Sequence, residues 1–179
     1  MTTQLQKTFL AALSLLVLLG ITSLQNEAAA QLQVGGGLAF GTDIEAAGIQ
    51  AGGTYFLLEE QGIRLALDLI FFFPGEDAVG FDLNVFEINA NGHYIFNEGD
   101  AFIAYALAGL SLATVSVDVD LGPFGGTQSA SDSELGLNAG AGIEYSIGGV
   151  KLYGEGKLVL GGFDQFVISG GVRVPLGGN

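Results

Sequence analysis

The sequence has no cysteine, no tryptophan and few basic residues, with 5 lysines and arginines against 19 aspartates and glutamates. Without cysteine, neither a disulfide framework nor a thiolate metal site can form, so the fold depends on packing and hydrogen bonding. The formal net charge of −14 argues against nucleic acid as a partner, because phosphate binding requires clustered lysine and arginine.

Hydrophobic residues are plentiful, whereas charged residues are scarce. They account for 49% and 13% of the 179 residues, and the chain contains 30 glycines but only 3 prolines. Such a composition can bury a core but leaves little charge for a surface exposed to water. The length suits one domain plus a targeting segment, and the composition favours a membrane environment.

The N-terminal segment has the three parts of a secretory signal peptide. Lys7 precedes an apolar run from Phe9 to Ile21, which is short for a membrane-spanning helix. Small residues follow at Ala28–Ala30, so we predict cleavage after Ala30, with residues 1–30 as the signal peptide and 31–179 as the mature domain. An uncleaved anchor is the alternative. Because no cysteine lies near the site, a lipoprotein is excluded.

Apolar and polar residues alternate with a period of two throughout the mature segment, and no stretch approaches the roughly 18 apolar residues of a membrane helix. Clusters of glycine, asparagine, aspartate and glutamate separate the runs. We predict an all-β fold of eight antiparallel strands, at about 32–40, 47–58, 63–73, 80–96, 101–115, 134–147, 150–160 and 165–176.

One face of each predicted strand carries no charge. In the third strand, Leu65 and Leu67 alternate with Arg64 and Asp68. An apolar face could line a soluble barrel or cover a membrane barrel, but a soluble barrel needs an outer face rich in lysine, glutamate and aspartate. The polar faces here are mostly glycine, alanine, serine and asparagine, which favours an up-and-down transmembrane barrel with a narrow lumen.

Connection lengths and aromatic residues support this interpretation. The second, fourth and sixth connections are turn-sized, whereas the fifth, from about Ser116 to Ser133, is predicted to be a long loop on the opposite side. Tyrosines lie near the short turns and phenylalanines cluster toward the other end. We therefore predict an interfacial aromatic girdle formed by Tyr55, Tyr94, Tyr105 and Tyr145.

Three segments, at residues 87–96, 105–110 and 140–145, resemble the sequences of a known family. Their strand patterns are similar to those of the small outer-membrane barrel domains of the OmpA and OmpX type, and the resemblance covers residues 31–179. It implies an eight-stranded barrel in the outer membrane of a Gram-negative-type bacterium, with outer-membrane lipid and the outer-membrane insertion machinery as partners. A monomer is expected, because a closed barrel has no edge strand to cover.

Charged residues are predicted to pair inside the barrel, since eight strands leave an interior that side chains can fill. This polar network is predicted to comprise Arg64, Asp68, Glu87, Glu144, Lys151, Glu155, Lys157 and Arg173. We expect Arg173 and Lys151 near Glu144, and Lys157 near Asp68 or Glu87. We expect these paired side chains to plug the lumen.

The sequence offers no catalytic set, cofactor site or metal site. His93 is the only histidine and has no identifiable nucleophile and orienting carboxylate, so a structural role is predicted. Asp118 and Asp120 resemble the start of a calcium loop, but the remaining ligands are missing. The leading hypothesis is a non-enzymatic outer-membrane barrel with a structural or surface-interaction role. The alternatives are a narrow, porin-like channel and a soluble periplasmic lipid-binding barrel.

Overall fold

A computed structural model describes residues 32–74, 81–99, 101–120, 127–161 and 163–176. The predicted signal peptide and its cleavage site lie outside these residues. Among the described residues, no helix is long and apolar enough to cross a membrane.

The described residues form eight strands and one short 3-10 helix, Glu59–Gln61. The strands are β1 (Leu32–Gly41), β2 (Ala46–Leu58), β3 (Ile63–Phe73), β4 (Phe81–Glu98), β5 (Phe102–Asp120), β6 (Thr127–Ile147), β7 (Val150–Leu160) and β8 (Gln165–Pro175). Each strand pairs antiparallel with its neighbours in sequence, and β1 pairs with β8 to close the barrel. The predicted eight-stranded, antiparallel, up-and-down barrel is confirmed.

Tight turns join the strands at one end of the barrel, which we call the turn end. Gly148 and Gly149 connect β6 to β7, and Gly148 has a φ of 62°, a conformation that favours glycine. The ladder shifts register between Phe56 and Leu58 in β2 and between Ile95 and Asn97 in β4, both beside these turns. Such shifts locally increase the twist of a closing sheet.

The opposite end, called the loop end, contains the first, third, fifth and seventh connections. At this end the first and seventh connections are tied together, because the backbone N–H of Thr42 donates to the carbonyl of Phe166 at 2.9 Å. The backbone N–H of Phe166 in turn donates to the Asp43 carboxylate at 3.3 Å. Hydrogen bonds therefore hold the first and seventh connections together at the rim beside β1 and β8.

Large apolar side chains cover the outside of the barrel. They include Leu38, Leu67, Leu137 and Leu158, all exposed. Tyr55, Tyr94 and Tyr145 are also exposed and lie toward the turn end, where the predicted girdle was placed. Burying polar groups inside and exposing leucine outside is the reverse of a soluble protein.

Tyr105 does not belong to the girdle. Its side chain is 0% exposed and lies inside the barrel, so its prediction as a girdle residue was wrong. The reason is strand parity, because Tyr105 shares the inward face of β5 with Ile103 and Leu107. Tyr153, the fifth tyrosine, also points inward.

The predicted fifth loop is largely strand. Most of the segment from Ser116 to Ser133 continues β5 and β6 as a paired hairpin, out to the pair Asp120–Thr127. β4 follows β5 as far as the pair Phe81–Val119. In the described residues, β4 has no β3 partner before Val85, and β6 has no β7 partner before Leu137. In this region β4, β5 and β6 pair only with one another. We call residues 81–84, 114–120 and 127–136 the loop-end extension.

The barrel interior as the candidate functional site

All eight residues predicted for the polar network point into the barrel. Seven of them are buried, and Lys151 is partly exposed near the turn end. The set contains four basic and four acidic side chains, so its formal charges cancel. Buried charges are retained when each is paired and hydrogen-bonded, and the structure arranges them in two clusters.

The first cluster surrounds Glu144 and lies toward the turn end. Arg64 donates to both carboxylate oxygens of Glu144, at 3.0 and 2.5 Å. Arg173 donates to Glu144 Oε1, and Lys151 Nζ lies 3.8 Å from Oε2. One carboxylate is therefore held by three cations. Arg173 and Lys151 lie near Glu144 as expected, whereas the contact with Arg64 was not anticipated from the sequence.

Tyr105 joins this cluster to Glu155. Its hydroxyl donates to Glu155 Oε2 at 2.7 Å and accepts from Arg173 Nη1 at 3.1 Å. Arg173 also donates to Glu155 at 3.1 Å. The ring of Tyr105 stacks on His93 and lies 4.6 Å from the Arg64 guanidinium carbon. We call Arg64, Tyr105, Glu144, Lys151, Glu155 and Arg173 the Glu144 cluster.

Tyr105 fits inside the barrel because its partner on β6 is glycine. Tyr105 pairs with Gly142, and a Cβ built on Gly142 would collide with the tyrosine ring. The absence of a side chain at this position opens the space that the ring fills. The pattern of inward glycines is thus part of how the sequence accommodates large side chains in a narrow lumen.

The second cluster surrounds Glu87, nearer the loop end. Lys157 Nζ donates to Glu87 Oε2 at 2.9 Å, which is one of the two pairings predicted for Lys157. Glu87 also accepts from the amides of Asn89 and Gln165, at 3.1 and 2.9 Å. Asn138 Nδ2 donates to Asn89 Oδ1 at 2.9 Å. We call Glu87, Asn89, Asn138, Lys157 and Gln165 the Glu87 cluster.

The remaining predicted residue, Asp68, lies between the clusters. It is 5% exposed. Among the described residues, no lysine or arginine nitrogen lies within 4.0 Å of its carboxylate. The predicted alternative of Lys157 against Asp68 is therefore not the arrangement present.

Apolar side chains close both ends of the polar region. At the loop end, Ile70, Phe72, Val85 and Val159 form a buried cluster with Val167 and smaller residues. At the turn end, Ile95, Ile103 and Leu107 pack with Tyr105, and Phe56 lies against them. The two polar clusters thus lie between one apolar cluster toward the loop end and another toward the turn end.

Sequence reasoning found the charged members of the site but missed its neutral ones. Asn89 and Tyr105 each bridge two charged groups, Gln165 donates to Glu87, and Asn138 donates to Asn89. Their inward parity was readable from the sequence, but their partners lie on strands far apart in the chain, which no local pattern reveals. His93 is buried inside the barrel, and its Nδ1 accepts from Arg64 Nε at 3.2 Å.

Neither a metal ligand set nor a catalytic set is evident in the described part of the chain. No group of three or more histidine, cysteine, aspartate or glutamate side chains comes together there in a way that could hold a metal ion. The polar groups contact one another, so the arrangement suits mutual neutralisation and support of the barrel wall.

Comparison with known proteins places the fold. No protein-family model matches the chain, and no curated protein matches it. Solved structures do match. Neisserial surface protein A shares 22% identity with a TM-score of 0.61, covering 80% of this chain and 95% of that one. A major outer membrane protein from Thermus thermophilus shares 12% identity with a TM-score of 0.62, covering 80% and 97%.

A third solved structure is the N-terminal β-barrel domain of Pseudomonas aeruginosa OprF. It shares 18% identity with a TM-score of 0.55, covering 80% of this chain and 96% of that one. These likenesses span nearly the whole of each compared barrel at low identity, so they concern architecture. The predicted resemblance is confirmed at that level: this chain has the fold of the small outer-membrane β-barrels.

Proposed function

We propose that this chain is an integral outer-membrane β-barrel with a structural or surface-interaction role, and that its lumen is closed by its own side chains. The proposal includes a monomer that contacts outer-membrane lipid and is placed there by the insertion machinery, with the loop end facing outward. It assigns no enzymatic activity.

The observation that carries the proposal is the inverted polarity of the barrel. Leucines such as Leu38, Leu135 and Leu137 are 60–70% exposed on the outside, while the ionic clusters are buried within. Only a non-polar surrounding makes this arrangement favourable, because exposing so much apolar surface to water is costly. A soluble lipid carrier would need the opposite arrangement, with an apolar cavity and a charged exterior.

Two features support a closed lumen. The Glu144 and Glu87 clusters cross the interior and connect opposite walls through hydrogen bonds such as that from Lys157 to Glu87. Apolar side chains, Phe72 among them, fill the space on the loop-end side. An ion entering the lumen would have to displace these contacts.

The first test is gel migration of the detergent-extracted membrane fraction, with and without boiling. A closed membrane barrel resists SDS until it is heated, so we expect a heat-dependent shift in mobility. Protein recovered in the soluble fraction without such a shift would contradict the proposal and favour the periplasmic lipid-binding barrel.

The second test is conductance in planar bilayers, with a known porin as the positive control. We expect no large, steady single-channel conductance from the wild-type protein. Steady conductance would overturn the closed lumen and favour the narrow channel, while leaving the membrane barrel intact.

A third test locates the outer boundary of the membrane on one strand. Leu135 and Ser131 share the outward parity of β6, but Leu135 belongs to the apolar outer surface, whereas Ser131 lies beyond it, next to the polar pair Thr114–Ser133. We expect a water-soluble maleimide to label Ser131→Cys much faster than Leu135→Cys in intact vesicles. Equal labelling would contradict the proposed position in the bilayer.

A further inference from the structure

The outer surface of β4, β5 and β6 changes from apolar to polar toward the loop end. Directly paired residues form rows across these three strands, and one exposed row is entirely apolar, namely Ile88, Leu112 and Leu135. The next two rows toward the loop end are Phe86, Thr114 and Ser133, and then Asn84, Ser116 and Ser131. We call Asn84, Thr114, Ser116, Ser131 and Ser133, all in the loop-end extension, the neutral polar face.

The neutral polar face continues the apolar outer surface without a break. The β4–β5 ladder has no register shift from Phe81 to Ile95, and the β5–β6 ladder has none along its whole length. Ser131 and Ser133 are exposed and the other members are partly exposed. Because parity is kept, these side chains project from the same side of the sheet as Leu112 and Leu135. They therefore lie at the height of the lipid headgroups if the apolar rows lie in the acyl chains.

The face offers closely spaced hydrogen-bonding groups. The hydroxyl oxygens of Thr114 and Ser133 are 2.9 Å apart, and either can be the donor. Their mutual bond uses one hydroxyl hydrogen, which leaves the other hydrogen and several lone pairs for a ligand. Neighbouring strands lie about 4.8 Å apart, a spacing comparable with the width of a sugar ring. Such an array matches the alternating donors and acceptors of a saccharide.

An aromatic side chain borders the face. Phe86 is partly exposed and lies in the same row as Thr114 and Ser133. It pairs with Phe71 on β3, whose ring lies 5.0 Å from that of Phe73. The negative face of an aromatic ring attracts polarised C–H groups, which a sugar ring presents on its flat sides. Hydroxyls beside an aromatic ring therefore favour a sugar over a plain acyl chain.

The charge of this region argues against a phosphate headgroup. All four lysines and arginines between residues 31 and 179 belong to the interior clusters, so the outer face carries no cation. Asp118 follows Ser116 on the outward side of β5 and adds negative charge. Anionic lipid headgroups are attracted by clustered lysine and arginine. An uncharged headgroup is the one that this face can accept without repulsion.

We propose that the neutral polar face binds the uncharged sugar headgroup of an outer-leaflet glycolipid whose acyl chains lie against Leu112 and Leu135. The hydroxyls of β5 and β6 bond the sugar hydroxyls, and Phe86 packs against the sugar ring. The proposal deepens the contact with outer-membrane lipid proposed above and rests on it, since it requires the loop end to face outward.

The test measures lipid retention by native mass spectrometry, with the full mature protein released from detergent micelles. The micelles contain equal amounts of galactosyldiacylglycerol and phosphatidylglycerol with identical acyl chains, so the apolar surface contributes equally to both. We expect about tenfold more retained galactolipid. Equal retention of the two lipids, or a preference for phosphatidylglycerol, would overturn the proposal. Free methyl galactoside that binds as tightly as the galactolipid would overturn a membrane lipid as the source of the sugar.

Variants locate the site. The double variant S116A/S131A should lower galactolipid retention about tenfold, because two hydroxyls are lost, and should leave phosphatidylglycerol retention unchanged. The matched variant Y94F/Y145F removes two exposed hydroxyls at the turn end and should change neither. Equal losses in both variants would overturn the assignment to this face.

The aromatic contact has its own pair of variants. Phe86→Leu should lower galactolipid retention about threefold, whereas Phe166→Leu, on the outer surface of β8, should leave it unchanged. Galactolipid retention that is the same in Phe86→Leu as in the wild type would overturn the role of the ring.

A gain of function tests the height of the face in the membrane. Ser131→Lys places a cation on the outer face, and we expect phosphatidylglycerol retention to rise about fivefold. No change would show that this position does not reach the headgroups and would overturn the proposal. A heat-dependent gel shift without a preference for galactolipid would reject the sugar and keep the membrane barrel. Absence of the gel shift would reject both.

Discussion

The two ionic clusters in the lumen compensate the charge of a buried carboxylate in different ways. In the Glu144 cluster, three cations converge on one carboxylate, and Glu155 and a tyrosine hydroxyl complete the set. In the Glu87 cluster, one lysine faces one carboxylate and neutral amides supply the other hydrogen bonds. The comparison suggests that an acid shared by several cations is harder to replace than an acid supported by amides, since its loss leaves more uncompensated charge.

Removing the shared acid should have the largest effect. Glu144→Ala leaves Arg64 and Arg173 buried without their common partner, and we expect the free energy of unfolding to fall by about 3–5 kcal/mol. Urea titration in micelles, followed by the heat-dependent gel shift, measures it. Glu59→Gln, at an exposed position in the turn after β2, is the control and should change little. A loss below about 1 kcal/mol would show that the cluster contributes little to stability.

Breaking the simpler pair should cost less. Lys157→Met leaves the Glu87 carboxylate with the amides of Asn89 and Gln165, so we expect a loss of roughly 2–3 kcal/mol in the same assay. Adding Glu87→Gln should recover part of that loss, because the unpaired charge is removed. If the double variant is no more stable than Lys157→Met, charge is not the cause of the loss.

The hydroxyl of Tyr105 provides a finer test of the first cluster. Tyr105→Phe keeps the ring beside Arg64 but removes the bonds to Glu155 and Arg173. We expect a loss of about 1–2 kcal/mol, because those two groups also bind each other at 3.1 Å. Tyr94→Phe, on the outer surface, is the matched control. An equal loss in both variants would assign the effect to tyrosine in general.

The smallest expected effect is at His93. His93→Phe preserves a stacked ring and removes one bond accepted from Arg64, whose two bonds to Glu144 remain. We expect a loss of at most about 1 kcal/mol by urea titration. A loss as large as that of Glu144→Ala would mean that His93, rather than Glu144, holds Arg64 in place.

The sequence predicted the barrel body well because membrane and lumen impose alternation on every strand. For β3, the predicted range 63–73 matches Ile63–Phe73 in the structure, and for β7 the predicted range 150–160 matches Val150–Leu160. Parity also assigned Arg64, Glu144 and the other charged residues to the interior. These features depend only on the local order of residues.

The prediction was wrong where the surroundings change along a strand. β5 was predicted to end near Ser116 and β6 to begin near Ser133, but β5 continues to Asp120 and β6 begins at Thr127. In β4 the apolar residues also change from one parity to the other near Val85 and Phe86, where the structure has a continuous ladder. In the proposed position in the bilayer, the alternation reverses because the outward face enters water, so a reversal of polarity and a change of register look alike in the sequence.

Tyr105 shows a second limit. Tyrosine is typical of membrane interfaces, and its position near a turn favoured the girdle, yet strand parity directed it inward. Whether a tyrosine can lie inside depends on a facing glycine and on partners from β7 and β8, none of which is adjacent in sequence. Residue-type preference was outweighed by geometry that only the closed barrel creates.

The seam between β1 and β8 bears on how this barrel folds. It joins the two strands farthest apart in the chain, and it pairs glycine-rich segments, such as Gly36–Gly37 with Gly171–Val172. Glycines offer few side-chain contacts that could form early in folding, and closing so long a loop is entropically costly. The long β4–β5 and β5–β6 hairpins bring near neighbours together first. We therefore expect the middle strands to pair first and β1 to pair with β8 last, with closure of the barrel as the slow, final step of folding.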